Sequence, residues 1–245
     1  MKNTWDRFEF KAVISYAGYS KTRHDLVRTE LERVGLGAAQ TFWTAKMPAD
    51  EVLLQQVPHN RMLEATPGMF NSLLTHYRVV KTAYQLGCES VLVMEDDVRF
   101  LKDCEAIKRA VLVLPEDYDL ALFDWWHRAK ATPEEWDALR AAPFVACCCW
   151  KRFTDLRSAA CYAMSRRGMI GFIDLVEGAI RKLSGYKLKI TDQFWPHMAA
   201  NRLNCYCAWP NVAVQGYSDG GSMSNMDSIW ARYNRYNIER SSYAD

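Results

Sequence analysis

Apolar positions along the chain switch between a period of two and a period between three and four, and the switches mark out strands and helices. Phe8 to Ile14, FEFKAVI, reads as a strand; Leu26, Val27, Leu31 and Val34 then recur at helical spacing over 21–34, with Gly35 as the stop. Thr41-Phe42-Trp43 is a short second strand, and residues 47–58 read as a loop with a helical turn. Pro67-Gly68 marks a turn ahead of a helix over 69–86 that Gly87 ends. A strand over 90–98, a helix over 103–112 and a strand over 119–123 follow. The stretch from Thr132 opens with TPEE, placing Pro at the first position of a helix over 132–140. Further strands are expected over 146–150, 158–164, 204–209 and 212–215, with helices over 169–183 and from Thr191. The alternation of elements, with no internal repeat and no Pro/Gly-rich linker, predicts one α/β domain over 1–217. Residues 218–245, rich in Gly, Ser, Asn and Tyr, read as an irregular tail.

One strand ends in an unusual way. Val91-Leu92-Val93-Met94 is apolar throughout and runs into Glu95-Asp96-Asp97. A buried strand cannot hold unpaired carboxylates cheaply, since each buried ion costs several kcal/mol. The acids must therefore lie at the strand's exit, and in an α/β sheet the carboxyl end of a strand is where ligands bind. Oxygen ligands there suit a hard ion such as Mg²⁺ or Mn²⁺, and such an ion suits a diphosphate. The plainer alternative is a solvated acidic turn.

Composition narrows the choice modestly. The chain has 245 residues, 49% hydrophobic and 24% charged, with a formal net charge of +2. That balance is ordinary for a globular protein and argues for neither nucleic-acid nor membrane binding. Nine Trp and twelve Tyr weakly favour a sugar or nucleotide site. MKNTWDRFEF carries no apolar signal segment and no run is long enough to span a bilayer, so a cytoplasmic protein is expected. Eight Cys include the adjacent Cys147-Cys148-Cys149, which suits free thiols better than disulfides; a zinc site with Cys205 and Cys207 lacks the usual CxxC spacing. The opening strand and turn contain no GxGxxG and no P-loop, so neither a Rossmann dinucleotide site nor a Walker NTPase is supported.

Several segments, in order, resemble glycosyltransferase family 25, the lipopolysaccharide-biosynthesis and collagen-galactosyltransferase group. They are AVISY followed by Arg23; Thr66 to Phe100 with Pro67-Gly68, His76 and Glu95-Asp96-Asp97; LPEDYDLALF; and SAACYAMSRRGM with Asp192 beyond it. The chain departs from the family pattern at Asn71-Ser72, where the family has Gly-Cys, and at Thr75, where it has Ser. The resemblance covers most of the chain. It implies a single GT-A-like domain with a mixed, mostly parallel central sheet flanked by helices. It also implies a metal-dependent, inverting transfer of galactose or glucose from a UDP-sugar to a glycan or lipid-linked saccharide, with Mn²⁺ or Mg²⁺ as cofactor. A lipid-linked acceptor would be compatible with peripheral membrane contact.

Roles for individual residues follow from that resemblance. Asp97 ligates the metal, and Glu95 supports it through ribose or metal-bound water. Asp96 serves on the donor side, although an extended backbone would point it away from its neighbours. Ser15, Tyr16 and Arg23 follow the first strand, where the nucleotide should bind; Arg23 is otherwise a solvated residue of a first helical turn. His76 contacts the donor, ligates metal or is a satisfied helix-face histidine. Arg166 faces the diphosphate or, with Arg167, is a solvated pair. Asp192 is the first candidate for the base that deprotonates the acceptor hydroxyl, with a helix N-cap as its alternative, and Asp124 is the second. The segment from Gln215 to Met223 is a loop over the donor or the start of the tail. Three other readings compete: a non-catalytic carbohydrate-binding or scaffold protein on a degenerate fold, a zinc-stabilised module and a metal-dependent phosphohydrolase. The last is disfavoured by only five His.

Overall fold

Eight strands form the central sheet in the computed structural model of the chain, which describes residues 3–16, 21–37, 39–44, 67–127, 132–146, 149–181 and 191–215. The described residues hold twelve strands in all: β1 (Phe10–Tyr16), β2 (Gln40–Thr44), β3 (Ser90–Glu95), β4 (Val98–Phe100), β5 (Leu120–Leu122), β6 (Trp126–His127), β7 (Phe144–Ala146), β8 (Trp150–Arg152), β9 (Leu156–Arg157), β10 (Cys161–Ser165), β11 (Cys205–Ala208) and β12 (Ala213–Gln215). The sheet order is β2-β1-β3-β10-β5-β11-β8-β7, and β4/β12 and β6/β9 form separate two-stranded ribbons. β1 pairs in parallel with β2 and β3, and β5 with β11, whereas β10 opposes β3 and β5, and β8 opposes β11 and β7. Six of the eight strands therefore run one way, and the sheet is mixed but mostly parallel, as expected.

Helices cover both faces: α1 (Lys21–Arg33), α2 (Pro67–Gln85), α3 (Cys104–Leu112), α4 (Pro133–Ala141), α5 (Arg166–Arg181) and α6 (Trp195–Ala200). The alternation of β3 divides the core in two. Val91 and Val93 join Leu73, Val79, Val80 and Ala83 of α2 with Phe172 and Val176 of α5. Leu92 and Met94 join Val27 and Leu31 of α1 with Ile107 and Val111 of α3 on the other face. A strand buried on both faces needs an unbroken apolar run, and Val91 to Met94 is fully buried. Gly35 (φ +70°) and Gly87 (φ +81°) supply the left-handed residues that let α1 and α2 end.

Several boundaries differ from the pattern-based expectation. α2 begins at Pro67 itself, because proline's fixed φ and missing N–H suit the first helical position, so Pro67-Gly68 does not form a separate turn. The expected strand over 90–98 breaks at Asp96-Asp97 into β3 and β4, and β4 pairs with β12 outside the main sheet. Ala146 and Trp150 belong to two strands, Phe144–Ala146 and Trp150–Arg152, which form the antiparallel pair β7–β8 rather than one strand. α5 starts at Arg166, three residues early, directly out of β10. The expected loop over 47–58, the segment beyond Gln215, Cys147 and Cys148 lie outside the described residues. Among the described residues, no helix is long and apolar enough to cross a membrane.

Candidate active site

The register of β1 and β3 sets Ile14 beside Glu95, so Ser15 and the acidic segment leave the sheet together at its carboxyl end. The Glu95 amide donates to Ala160 O at 2.9 Å and the Asp96 amide to Ile14 O at 2.9 Å, which carries backbone pairing to the last possible residue. The chain then turns. In an extended strand Asp96 and Asp97 would face opposite ways; the turn brings both to one guanidinium. Arg23 Nη2 lies 2.7 Å from Asp96 Oδ1 and 3.0 Å from Asp97 Oδ2. The expectation that Asp96 points away is thereby corrected.

Asp96 receives a second contact from Ser15 Oγ at 2.7 Å. Asp97 Oδ2 accepts from Gln215 Nε2 at 3.1 Å, which ties the end of β12 to the cluster. The other oxygen, Asp97 Oδ1, is buried with no hydrogen-bond partner. A carboxylate oxygen in that state carries the full cost of lost hydration. Burial, reinforced by Glu95 and Asp96 and opposed by Arg23 and Gln215, pushes the Asp97 carboxyl up to about 7.

Glu95 is the accessible member, with a side chain 23% exposed. It is oriented from behind by a buried relay. His76, on α2, is wholly buried, with Nε2 3.2 Å from Glu95 Oε1 and Nδ1 3.0 Å from the Tyr162 hydroxyl. Burial, with Glu95 adding to it, holds the Tyr162 hydroxyl protonated far above the ordinary tyrosine range. Tyr162 therefore donates to Nδ1, and Nε2–H donates to Glu95; the reverse tautomer would set a lone pair against the carboxylate. Of the three roles weighed for His76, the geometry matches the satisfied histidine: the ring is wholly buried on α2 and bonded through both nitrogens, and through one of them it positions Glu95.

Asp192 comes to the same place from another element. It lies in a 3₁₀ turn, Thr191–Phe194, ahead of α6, whose own N-cap, Phe194, makes no side-chain cap bond. Asp192 is thus not the helix cap. Phe194 and Trp195 anchor the turn in the core, Trp195 packing 5.0 Å from the Tyr162 ring and donating to Ser158 O. The Asp192 carboxylate accepts from the Ser158 amide, and its Oδ1 is buried without a partner. Burial pushes Asp192 up to about 6, with Glu95 adding and Arg157, the Ser158 amide and His76 opposing. The 3₁₀ turn that carries Asp192 packs against α2, the helix of His76, which sets it beside the cluster.

Two expected site residues go elsewhere. Asp124 is fully buried; Ser158 Oγ donates to Oδ2 and Asn211 Nδ2 to Oδ1 at 3.4 Å. It cannot meet an acceptor hydroxyl. Its effect runs through Ser158, which adopts φ +114°, a conformation rare for a non-glycine residue, and offers its amide to Asp192. Arg166 follows Ser165, which pairs with Ser90 at the opposite end of β3 from Glu95. That is roughly 16 Å away at the strand rise. Arg166 there donates to Cys88 O at 3.2 Å and covers the Tyr84 ring at 4.6 Å. It is neither a diphosphate ligand nor a bare solvated residue. Arg167 likewise reaches Asp119, at 3.2 Å. The Tyr16 side chain lies outside the described residues.

Sequence reasoning missed Tyr162, Ser158, Arg157 and Asn211. Only Tyr162 left a trace, as a polar-tipped residue inside the apolar strand ACYAM. Two thiols of the zinc reading, Cys147 and Cys148, lie outside the described residues. Cys205 and Cys207 are buried, with burial the leading cause that raises Cys205 to about 12 and Cys207 further. Among the described residues, no group of three or more His, Cys, Asp and Glu side chains is arranged so that it could hold a metal ion.

No family model and no curated protein matches the chain. Among solved structures, it is similar to a glycosyltransferase involved in the glycosylation of the major capsid of PBCV-1, with a TM-score of 0.46 and 9% identity, over 94% of this chain and 100% of that one. It is also similar to mannose-1-phosphate geranyltransferase from Thermus thermophilus, with a TM-score of 0.39 and 12% identity, over 85% of this chain and 74% of that one.

Proposed function

We propose that the chain is a metal-dependent, inverting glycosyltransferase that transfers galactose or glucose from a UDP-sugar to a saccharide acceptor, in the manner of glycosyltransferase family 25. The observation that carries this reading is Asp97 Oδ1: a buried, unpartnered carboxylate oxygen at the carboxyl end of β3, in a cluster of three acids of which two, Asp96 and Asp97, share one arginine. With Arg23 counted, Glu95, Asp96 and Asp97 leave a formal charge near −2 when ionised, the charge a divalent cation matches. Asp97 through Oδ1, and Glu95 through its exposed carboxylate, are the residues that would hold it. So few protein ligands suit Mg²⁺ or Mn²⁺, which use one or two carboxylates and complete their shell with water and substrate phosphate. A bound ion supplies Lewis-acid neutralisation of the leaving diphosphate.

The chain's own groups supply the rest. Tyr162 and His76 fix the rotamer of Glu95, and Ser15 and Gln215 fix Asp96 and Asp97. Asp192 takes the acceptor's proton: a base with a pKa of about 6 is largely ionised at neutral pH yet basic enough to share a proton in the transition state. Its unpartnered Oδ1 is the atom that would accept it. Attack by the acceptor hydroxyl on the face of the anomeric carbon opposite the departing UDP would form the new glycosidic bond as the bond to UDP breaks, with inversion. A purely carbohydrate-binding role would leave both unpartnered oxygens without a use. The test is turnover of UDP-galactose, UDP-glucose and UDP-N-acetylglucosamine with and without Mn²⁺, followed by release of UDP. Metal-dependent release from one donor, lost in Asp97→Ala, supports the proposal; equal release without metal contradicts it.

A further inference from the structure

The geometry points to Arg23 as a resident counter-cation: it occupies Asp96 and Asp97 until a divalent ion displaces it, and it then turns to the donor's diphosphate. This rests on the metal-dependent reading above and adds a coupling between metal and nucleotide that the reading does not require.

Three observations lead to it. The Arg23 side chain, from the first turn of α1, is 12% exposed, and a single Nη2 spans Asp96 Oδ1 at 2.7 Å and Asp97 Oδ2 at 3.0 Å. The bridge uses one oxygen of Asp97 while the other, Oδ1, stays buried and unpartnered. Both acids keep neutral partners that do not depend on Arg23, Ser15 Oγ on Asp96 and Gln215 Nε2 on Asp97. A divalent ion on Oδ1 would therefore share one carboxylate with a guanidinium, and two cations that close, shielded from water, repel strongly. The repulsion is relieved if the arginine moves, and the neutral partners keep both acids in place when it does. A diphosphate gives the guanidinium a better anion to meet, since its planar fork matches phosphate oxygens in pairs. Metal alone then binds against Arg23, while the diphosphate removes that opposition. By linkage each ligand tightens the other. The device discourages the empty enzyme from filling with metal and favours arrival of the metal with its nucleotide.

The experiment is Mn²⁺ binding, read from the free-ion magnetic resonance signal, with and without saturating UDP, on the wild type, Arg23→Gln and Arg23→Lys. Thermal melts check that each variant is folded. Without nucleotide, Arg23→Gln is expected to bind Mn²⁺ about tenfold or more tightly than the wild type, the scale of removing about 1.4 kcal/mol of opposition. The tightening produced by UDP shrinks by a similar factor, and UDP itself binds the metal-loaded variant more weakly. Arg23→Lys keeps the charge but carries it on a more strongly hydrated ammonium that holds the two acids less firmly, so it shifts Mn²⁺ affinity in the same direction by less; it carries the test if the glutamine variant does not fold. Unchanged or weaker Mn²⁺ binding in the folded variants overturns the inference and makes Arg23 a scaffold of the acidic turn. Wild type that binds Mn²⁺ beside a variant that is unaltered sinks this inference alone. If wild type and variants all fail to bind Mn²⁺, with UDP or without, the metal-dependent reading falls with it.

Discussion

Asp97→Asn should make the metal-free protein more stable while destroying its response to metal. Burial pushes the Asp97 carboxyl from 3.8 to about 7. Between those values the unfolded carboxyl is ionised while the folded one keeps its proton, so the folded state binds more protons and stability falls as pH rises. Above about pH 7 the loss is complete, and at 1.36 kcal/mol per pH unit it amounts to roughly 4 kcal/mol at most. The shift to about 7 is already net of the attraction of Arg23 and Gln215, so asparagine, which stands in for the protonated acid, escapes that cost with no further loss from those contacts. The amide can still accept from Gln215, and Arg23 keeps Asp96. The gain above pH 7 is about 2–4 kcal/mol, or about 4–16 °C in Tm for a domain of this size. The assay is a thermal melt of wild type and variant, without metal, from acid to mildly alkaline pH. The two curves should converge near pH 4 and separate toward about pH 8, and Mn²⁺ should raise only the wild type. A variant less stable than wild type at every pH would refute the assignment of Asp97 as a strained, proton-holding acid.

Asp192→Asn should lower kcat by about 10²–10⁴-fold with donor affinity unchanged, the usual cost of losing a general base, as steady-state kinetics and a donor titration would show. In the wild type, kcat should rise with pH through about 6 and then level, because the base works only when ionised; a flat profile across that range would remove Asp192 from the role. Asp124→Ala should destabilise the fold by about 1–3 kcal/mol in chemical denaturation, because it takes the acceptor from the buried Ser158 hydroxyl, while Asn211 Nδ2 keeps its bond to Trp125 O at 2.9 Å. Arg166→Ala should leave donor affinity within about twofold of wild type by calorimetry, since the residue sits at the far end of β3 and any phosphate contact, worth about 1.5–3 kcal/mol, would show as a much larger loss.

The sheet was legible because its strands obey simple burial rules. Val91 to Met94 is apolar on both faces because both faces are covered, and Gly35 and Gly87 end their helices where the left-handed turn is needed. The acidic end of β3 was legible for the same reason, as three charges with no place inside. What the pattern did not give was the turn at Asp96-Asp97. Its cause lies in another element, Arg23 on α1, and a local rule that sends alternate residues to opposite faces cannot register a distant cation. Asp124 and Asp192 looked alike in the sequence, each an Asp beside aromatics. They are separated by Ser158, whose hydroxyl goes to one and whose amide goes to the other. Arg166 was misplaced because Ser-Arg after a strand says nothing about strand direction, and β10 runs against β3.

The most direct measurement is anomalous diffraction from crystals grown with UDP and Mn²⁺. The proposed site predicts an Mn²⁺ peak within bonding distance of Asp97 Oδ1, shared with the diphosphate, and an Arg23 guanidinium that has left Asp97 for a phosphate oxygen. UDP bound without metal, or Mn²⁺ bound away from the Glu95–Asp97 turn, would contradict it.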